Sequence, residues 1–485
     1  MAQISNKFAI YITGGRLISM LAGFIMPILL VRVMSQKDYG LTSQFLTLYT
    51  AVYTISALGI HTNMFFFCPS SDKKISDKYV TNTIFLLILF GFMTGLILFI
   101  PFVKRIVFGD SELGKYSDYI ILSISLATIM NIVSPLNTIR EDKWGALIFP
   151  GAVALSRIIV ILACALIIQN IYRMFFWLFV YQSVISLSIL LYIKSKTHFS
   201  LDFHLMKEQL MYSLPFGFAV ALQLLSNYYD KFVCIKFLSP TEYAVYAVAF
   251  FSIPGITQIY DSLCQVNIVN MSNSFRGGKI DEILPQYSNF VIKTLSFSTP
   301  IILIVSLYAE EIMSFLYTEQ YISAAPYFRL YSLTFLTSML GAGIILRSVN
   351  KTKLSLLAFV FTCIIGLPLT YLLVKHYNAL GAICGAMINI MLPRLIQIGM
   401  EMLVLKSNIS VFLPWKGIFK IAIPSLLLLV PFFVIKKFFH LNIWFCIIES
   451  LFYVLLLYYY FVANDLFVIR KHVITRFIKK IIKQI

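Results

Sequence analysis

Charged residues are scarce: they fill 12% of the 485 positions, against 59% hydrophobic. A soluble domain carries about 25% charged and about 45–50% apolar residues. This balance, with a mean hydropathy of +0.86, excludes a globular cytosolic enzyme and requires a membrane protein. Long polar stretches are missing as well. A spanning helix takes about 20 apolar residues, so the chain has room for about fourteen spans and no sizeable domain outside the bilayer. Acids are few, 21 Asp and Glu against 39 Lys and Arg, for a net charge of +18. On a soluble protein that excess would suggest nucleic acid; here the basic residues read as topology signals gathered in cytoplasmic loops, and no nucleic-acid partner is expected. There is no CxxC pair and no His cluster. The cysteines (Cys68, Cys164, Cys234, Cys264, Cys363, Cys384 and Cys446) therefore read as small core residues, with no metal site, disulfide frame or cofactor expected. The N-terminus lacks a short apolar core followed by an A-x-A site, so it reads as the start of the first span.

What is present is a series of apolar runs. Charged and Gly/Pro punctuation divides them into fourteen expected spans: 8–31, 43–66, 80–103, 118–139, 145–169, 171–193, 213–238, 243–271, 290–308, 326–346, 354–374, 379–405, 418–435 and 441–463. Trp144, Trp177, Trp415 and Trp444 all fall near a span end, where an amphipathic ring prefers the headgroup region. With the N-terminus inside, basic residues favour the inner segments by about two to one, which predicts both termini cytoplasmic. The segment 309–325 carries Glu310, Glu311 and Glu319 but no Lys or Arg, and the count places it outside. The longest connection runs from 194 to 212, between spans six and seven. The expected organisation is an N-lobe at 1–193, a cytoplasmic linker at 194–212, a C-lobe at 213–405, two extra helices at 406–463 and a basic tail at 464–485. In that tail Ile474, Phe477, Ile478, Ile481 and Ile482 share one helical face, opposite Lys471, Arg476, Lys479, Lys480 and Lys483. It suits a helix lying on an anionic leaflet or a plain topology anchor.

Residues 31–40 read VRVMSQKDYG and residues 235–244 read IKFLSPTEYA. Arg32 matches Lys236, Ser35 matches Ser239, Asp38 matches Glu242 and Tyr39 matches Tyr243. Six spans separate the copies, so both run the same way through the bilayer, as parallel six-helix repeats require. Together with the Asp230–Lys231 pair, residues 239–246, 309–330, 345–353 and 376–387, this pattern resembles the polysaccharide (O-antigen, Wzx-type) flippase family of the multidrug/oligosaccharidyl-lipid/polysaccharide (MOP) exporter superfamily. Ala244 departs from it, since the second repeat commonly has Gly there. The resemblance implies an all-α integral membrane protein of about fourteen transmembrane helices, two parallel six-helix lobes plus two C-terminal helices. It also implies transport in place of catalysis, and a bacterial inner-membrane location.

Arg16, Arg157, Lys231 and Arg394 lie deep in expected spans. A cation there costs at least about 2.5 to 3.5 kcal/mol on insertion scales, so it faces a wet cavity or a partner. Either a cationic cavity, snorkelling, or pairing with Asp230, Asp261 or Glu401 would satisfy that demand. Polar trios at i, i+3, i+7 each share one helix face: Gln258, Asp261 and Gln265; Arg394, Gln397 and Glu401; Asn131, Ser134 and Thr138. Such faces turn inward, toward a cavity or toward interhelical hydrogen bonds. Asp261, mid-span with no basic residue one turn away, is the first candidate for coupling to H⁺ or Na⁺, with Asp230 second and Glu449 weaker. Adjacent on a helix, Asp230 and Lys231 point about 100° apart and need not pair.

The leading functional expectation is a flippase for undecaprenyl-diphosphate-linked oligosaccharide, with a polysaccharide polymerase and chain-length regulator as possible partners. A diphosphate asks for Arg, whose planar fork donates two parallel bonds. A multidrug exporter of organic cations would want acids in the first lobe, and spans one to six have none deeper than their edges. A membrane glycosyltransferase or polymerase would want paired carboxylates on a large outer loop, and no outer loop exceeds about 17 residues.

Overall fold

The computed structural model describes residues 6–68, 72–109, 111–251, 253, 256–438 and 442–467. Every regular element among them is helical. Among the described residues nine stretches are long and apolar enough to cross a membrane, and one of these, Lys353–Val404, is two helices merged across a kink at Asn378. Asn378 has φ 49°, a left-handed conformation that Asn tolerates better than most residues. Large apolar side chains such as Leu427, Ile448 and Leu455 are more than 60% exposed, as expected of a surface solvated by lipid and not by water.

The chain divides into two compact units, residues 1–247 with 371–382, and residues 248–370 with 383–485. The first holds α1 (Asn6–Val33), α2 (Gln36–Ser56), α3 (Lys73–Phe99), α4 (Ser117–Ala127), α5 (Val133–Ile139), α6 (Lys143–Ala163), α7 (Ile171–Lys196), α8 (Phe203–Phe237) and most of α9 (Pro240–Ala249). A 3-10 turn, Thr128–Ile132, joins α4 to α5. The second holds α10 (Ile256–Arg276), α11 (Ile283–Leu307), α12 (Ala309–Tyr317), α13 (Ala325–Ser338), α14 (Ile344–Ser348), most of α15 (Thr352–Val404), α16 (Trp415–Phe438) and α17 (Ile443–Ala463).

The sequence repeat has a physical identity: in each copy a serine hydroxyl caps a helix start and bonds to the acid three residues on. Ser35 Oγ accepts from the Asp38 N–H at 3.1 Å and donates to Asp38 Oδ2 at 2.7 Å. Ser239 Oγ likewise accepts from Glu242 N–H at 3.3 Å, while Glu242 Oε2 takes the Ser239 N–H at 2.9 Å. The second copy is thus a reciprocal capping box at the start of α9, and in the first the serine alone caps a backbone donor at the start of α2. The two copies also meet. A Cβ at Gly40 would strike the Pro240 carbonyl, and Tyr243 Oη lies 3.1 Å from Thr47 Oγ1. Gly40→Ala should therefore destabilise the chain by about 1–3 kcal/mol, because backbone cannot yield as a side chain can. Ala244, fully buried, makes no such demand for Gly. Thermal unfolding in detergent checks this; an unchanged midpoint for Gly40→Ala would refute it.

Two expectations change. The span drawn at 243–271 is two helices, α9 and α10, with Phe251 and Ile253 outside both. Pro254 and Gly255 in this stretch are helix breakers that the surrounding apolar run masked. The connection expected at 194–212 shortens to 197–202, because α7 runs on to Lys196 and α8 begins at Phe203. Those six residues are tied down. Buried Asp77 accepts from Arg140 Nη2 at 2.7 Å and from the His198 N–H at 3.1 Å. Asp202 pairs with Lys78 at 3.1 Å and exchanges bonds with Asn82. The amphipathic tail expected at 464–485 lies outside the described residues from 468 onward.

Candidate functional site

The site in the first unit exists because α1 lies close along α6. Small residues permit that approach: a Cβ on Gly15 would strike the backbone of Ala146 and Leu147, and close packing through small residues is how membrane helices associate. Ile12, Arg16 and Ser19 share one face of α1 and look into a cavity of about 270 Å³. From α6 comes Arg157, and from α5 come Ser134, Asn137 and Thr138. Arg16 and Arg157, both singled out from the sequence, thus line one cavity together with two members of the span-four polar trio. The third, Asn131, instead donates to Thr128 O at 2.9 Å. Among the described residues, no Asp or Glu lines the cavity.

Arg157 is half-buried and held from behind. Its guanidinium carbon stands 5.1 Å from the centre of the Tyr49 ring, a contact worth about 0.5–2 kcal/mol. Tyr49 is buried, and its hydroxyl donates to Gln182 Oε1 at 2.5 Å. Gln182 Nε2 donates to Ser186 Oγ at 3.0 Å, and that hydroxyl donates to Leu126 O at 2.9 Å. A relay of polar bonds through α7 therefore fixes the ring on which the arginine rests. The sequence offered no signal for Tyr49 or Gln182, because an aromatic at helical spacing reads as core.

A second network closes one edge of the cavity. Buried Asn137 Oδ1 and Asp142 Oδ2 each lie 2.7 Å from Tyr192 Oη, which has one proton for the two acceptors. Asp142 also caps α6 through the Gly145 N–H at 3.0 Å and pairs with Lys196. The Lys196 ammonium, helped by that N–H, holds the Asp142 carboxyl down at about 2. The edge therefore stays ionised throughout the neutral range.

The other singled-out residues lie elsewhere. Lys231 pairs with Asp230 at 3.2 Å and stands 5.8 Å from the Tyr228 ring, so the two neighbours do pair. Asp230 is buried and takes a further bond from Tyr246 Oη at 2.5 Å. A buried carboxylate needs such partners, and the flexible lysine stem can bend back to supply one.

In the second unit the trio on α15 grades from open to closed. Arg394 is half-buried, its Nη1 donating to Ile390 O at 2.9 Å. Gln397 is buried and its amide packs against Gly343. Glu401 is fully buried and its Oε1 accepts the Ile345 N–H at 2.8 Å. Glu401 therefore holds the start of α14 and is not the partner of Arg394. On α10, Asp261 and Gln265 are exposed, and the Gln258 side chain lies outside the described residues.

These features define a multi-pass membrane transporter: helical in every described element, lipid-exposed, and with an arginine-bearing cavity among its spans. The polysaccharide biosynthesis protein family matches residues 6–265, more than half of the chain, and the chain belongs to that family. Among solved structures it is similar to the lipid II flippase MurJ in an inward closed conformation, with a TM-score of 0.73 and 16% identity over 95% of this chain and 99% of that one. It is similar also to an inward-facing multidrug resistance MATE family transporter of the MOP superfamily, with a TM-score of 0.61 and 12% identity over 80% and 94%. A MOP superfamily transporter from Pyrococcus furiosus, described as having a binding pocket of reverse polarity, gives a TM-score of 0.52 and 12% identity over 82% and 94%. No curated protein sequence matches. At these identities the structural likenesses establish the MOP-transporter fold.

Proposed function

We propose that the chain flips an undecaprenyl-diphosphate-linked oligosaccharide from the cytoplasmic to the outer leaflet of a bacterial inner membrane, for O-antigen, capsule or another surface polysaccharide. Both termini are cytoplasmic in this reading, and an H⁺ or Na⁺ gradient drives alternating access. The observation that carries it is the cavity whose described lining has two arginines, hydroxyls, an amide and no carboxylate. Guanidinium groups bind phosphate oxygens through paired charge-assisted bonds, and Ser134, Asn137 and Thr138 can donate to or accept from sugar hydroxyls. Among the described lining residues an organic cation would meet only like charge, and Asp142 at the edge is already paired with Lys196, which disfavours multidrug export. Within the first unit Lys231 serves as a second-rank candidate; Arg394, Gln258, Gln265 and Gln397 belong to the second unit and are candidates there in their own right. A polymerase and a chain-length regulator would act on the product.

Deleting the gene should stop surface polysaccharide and trap complete lipid-linked units on the cytoplasmic leaflet. Extracting those units and assigning their leaflet tests this. Single complete units on the outer leaflet would point to a polymerase, truncated units to a glycosyltransferase, and either result would overturn the flippase reading.

A further inference from the structure

A second cavity, larger than the arginine-lined one, belongs to the second unit. It measures about 630 Å³ and brings Glu310 and Arg329 together with Leu429, Phe433, Lys436 and Lys437 from the end of α16. Two of its cations are already matched. Lys436 donates to Leu307 O at 2.8 Å and pairs with Glu311 at 2.8 Å, with Glu310 3.5 Å away. Arg329 pairs with Glu310 at 2.9 Å and donates to Ser306 O at 3.1 Å. Lys437 is exposed and forms no ion pair with a described residue. Glu310, 45% exposed, keeps acceptor capacity beyond its two cations, since a carboxylate offers about four lone-pair sites. Burial opposes ionisation of Glu310, but Arg329 and Lys436 outweigh it and hold the carboxyl below its ordinary value. The lining of the cavity therefore holds an exposed cation, Lys437, and a paired carboxylate with acceptor capacity to spare, Glu310.

An apolar track leads to it. Leu426, Val430 and Phe433 are each more than half exposed, and with Lys437 they follow i, i+4, i+7, i+11, one face of α16. The track from Leu426 to Lys437 is about 16 Å long at 1.5 Å per residue, the hydrocarbon depth of one leaflet, about half of 30 Å. We infer that this is a binding site for a zwitterionic phospholipid with a primary ammonium headgroup, such as phosphatidylethanolamine. The phosphate meets Lys437, the ammonium meets Glu310, and an acyl chain lies along the α16 track. Neither the substrate nor the direction of transport enters this inference.

The test is native mass spectrometry on the purified full chain. It is delipidated and then titrated with dioleoyl phosphatidylethanolamine, phosphatidylcholine and phosphatidylglycerol. Phosphatidylethanolamine should bind about tenfold tighter than phosphatidylcholine, because a quaternary ammonium cannot donate to Glu310. Glu310→Gln should erase that preference, and Lys437→Ala should weaken phosphatidylethanolamine by about tenfold. Should Glu310→Gln fail to fold, having lost its pairs, exposed Lys437→Ala and the comparison of lipids still decide. Equal binding of the three lipids, preference for phosphatidylglycerol, or unchanged binding by Lys437→Ala would overturn the site.

Discussion

Arg157→Ala is expected to abolish export of the lipid-linked oligosaccharide while leaving the protein at normal abundance. The guanidinium is half-buried in a cavity with no carboxylate among its described lining residues. Among the lining residues nothing of opposite charge competes for it, and its support is the neutral Tyr49 face at 5.1 Å. Charge-assisted hydrogen bonds contribute about 1.5–3 kcal/mol each. Losing a two-pronged phosphate contact therefore weakens substrate binding by two orders of magnitude or more, at about 1.4 kcal/mol per tenfold. Arg157→Lys keeps the charge and loses the fork, so export should recover only in part. Removing the arginine relieves an insertion cost and leaves no buried charge unpaired, so folding should survive. Surface polysaccharide measured beside immunoblotted membrane protein separates the two effects. Full export by Arg157→Ala would return Arg157 to a structural role, held by Tyr49 for packing.

Tyr49→Phe should lower export only in part, since the ring stays beneath Arg157 while the hydroxyl bonds to Gln182 and Met130 that fix it go. The contrast between these two positions shows what sequence could and could not reveal. Arg157 was visible because a cation in an apolar run is costly and demands a reason. Tyr49 was not, because nothing in the spacing of α2 says which helix its ring will face. Arg16 and Arg157 were each conspicuous, yet their meeting depends on Gly15 letting α1 lie against Ala146 and Leu147, and period within a helix does not name its neighbour. The repeat at 31–40 and 235–244 was legible because capping chemistry is local: Ser and an acid three residues on act within one turn. The break between α9 and α10 was also written locally, in Pro254 and Gly255, but a run of apolar residues outweighed it. Glu401 was read with Arg394 through their shared face. The start of α14, which claims its carboxylate, lies 56 residues away in sequence and leaves no periodic signature.

Asp261→Asn is expected to uncouple transport from an imposed ion gradient while leaving substrate binding in place. Three carboxylates compete for the coupling role, and their surroundings separate them. Glu449 is buried and accepts from Tyr308 Oη, so a small cation could reach it only by breaking into that contact. Asp230 is buried between Lys231 at 3.2 Å and Tyr246 at 2.5 Å, so a proton or Na⁺ would first have to displace a cation. Asp261 is exposed on α10 and forms no ion pair with a described residue, so it can exchange a small cation without dismantling structure. Asparagine keeps the shape and the acceptor oxygen but cannot change charge, so the response to a gradient should vanish and Kd for the lipid-linked unit should hold. Proteoliposomes with an imposed pH or Na⁺ step, assayed for leaflet transfer, read the first; titration of the detergent-solubilised variant reads the second. Should gradient dependence survive Asp261→Asn, the role passes to Asp230, where Asp230→Asn must then strand the Lys231 charge and cost stability as well as coupling.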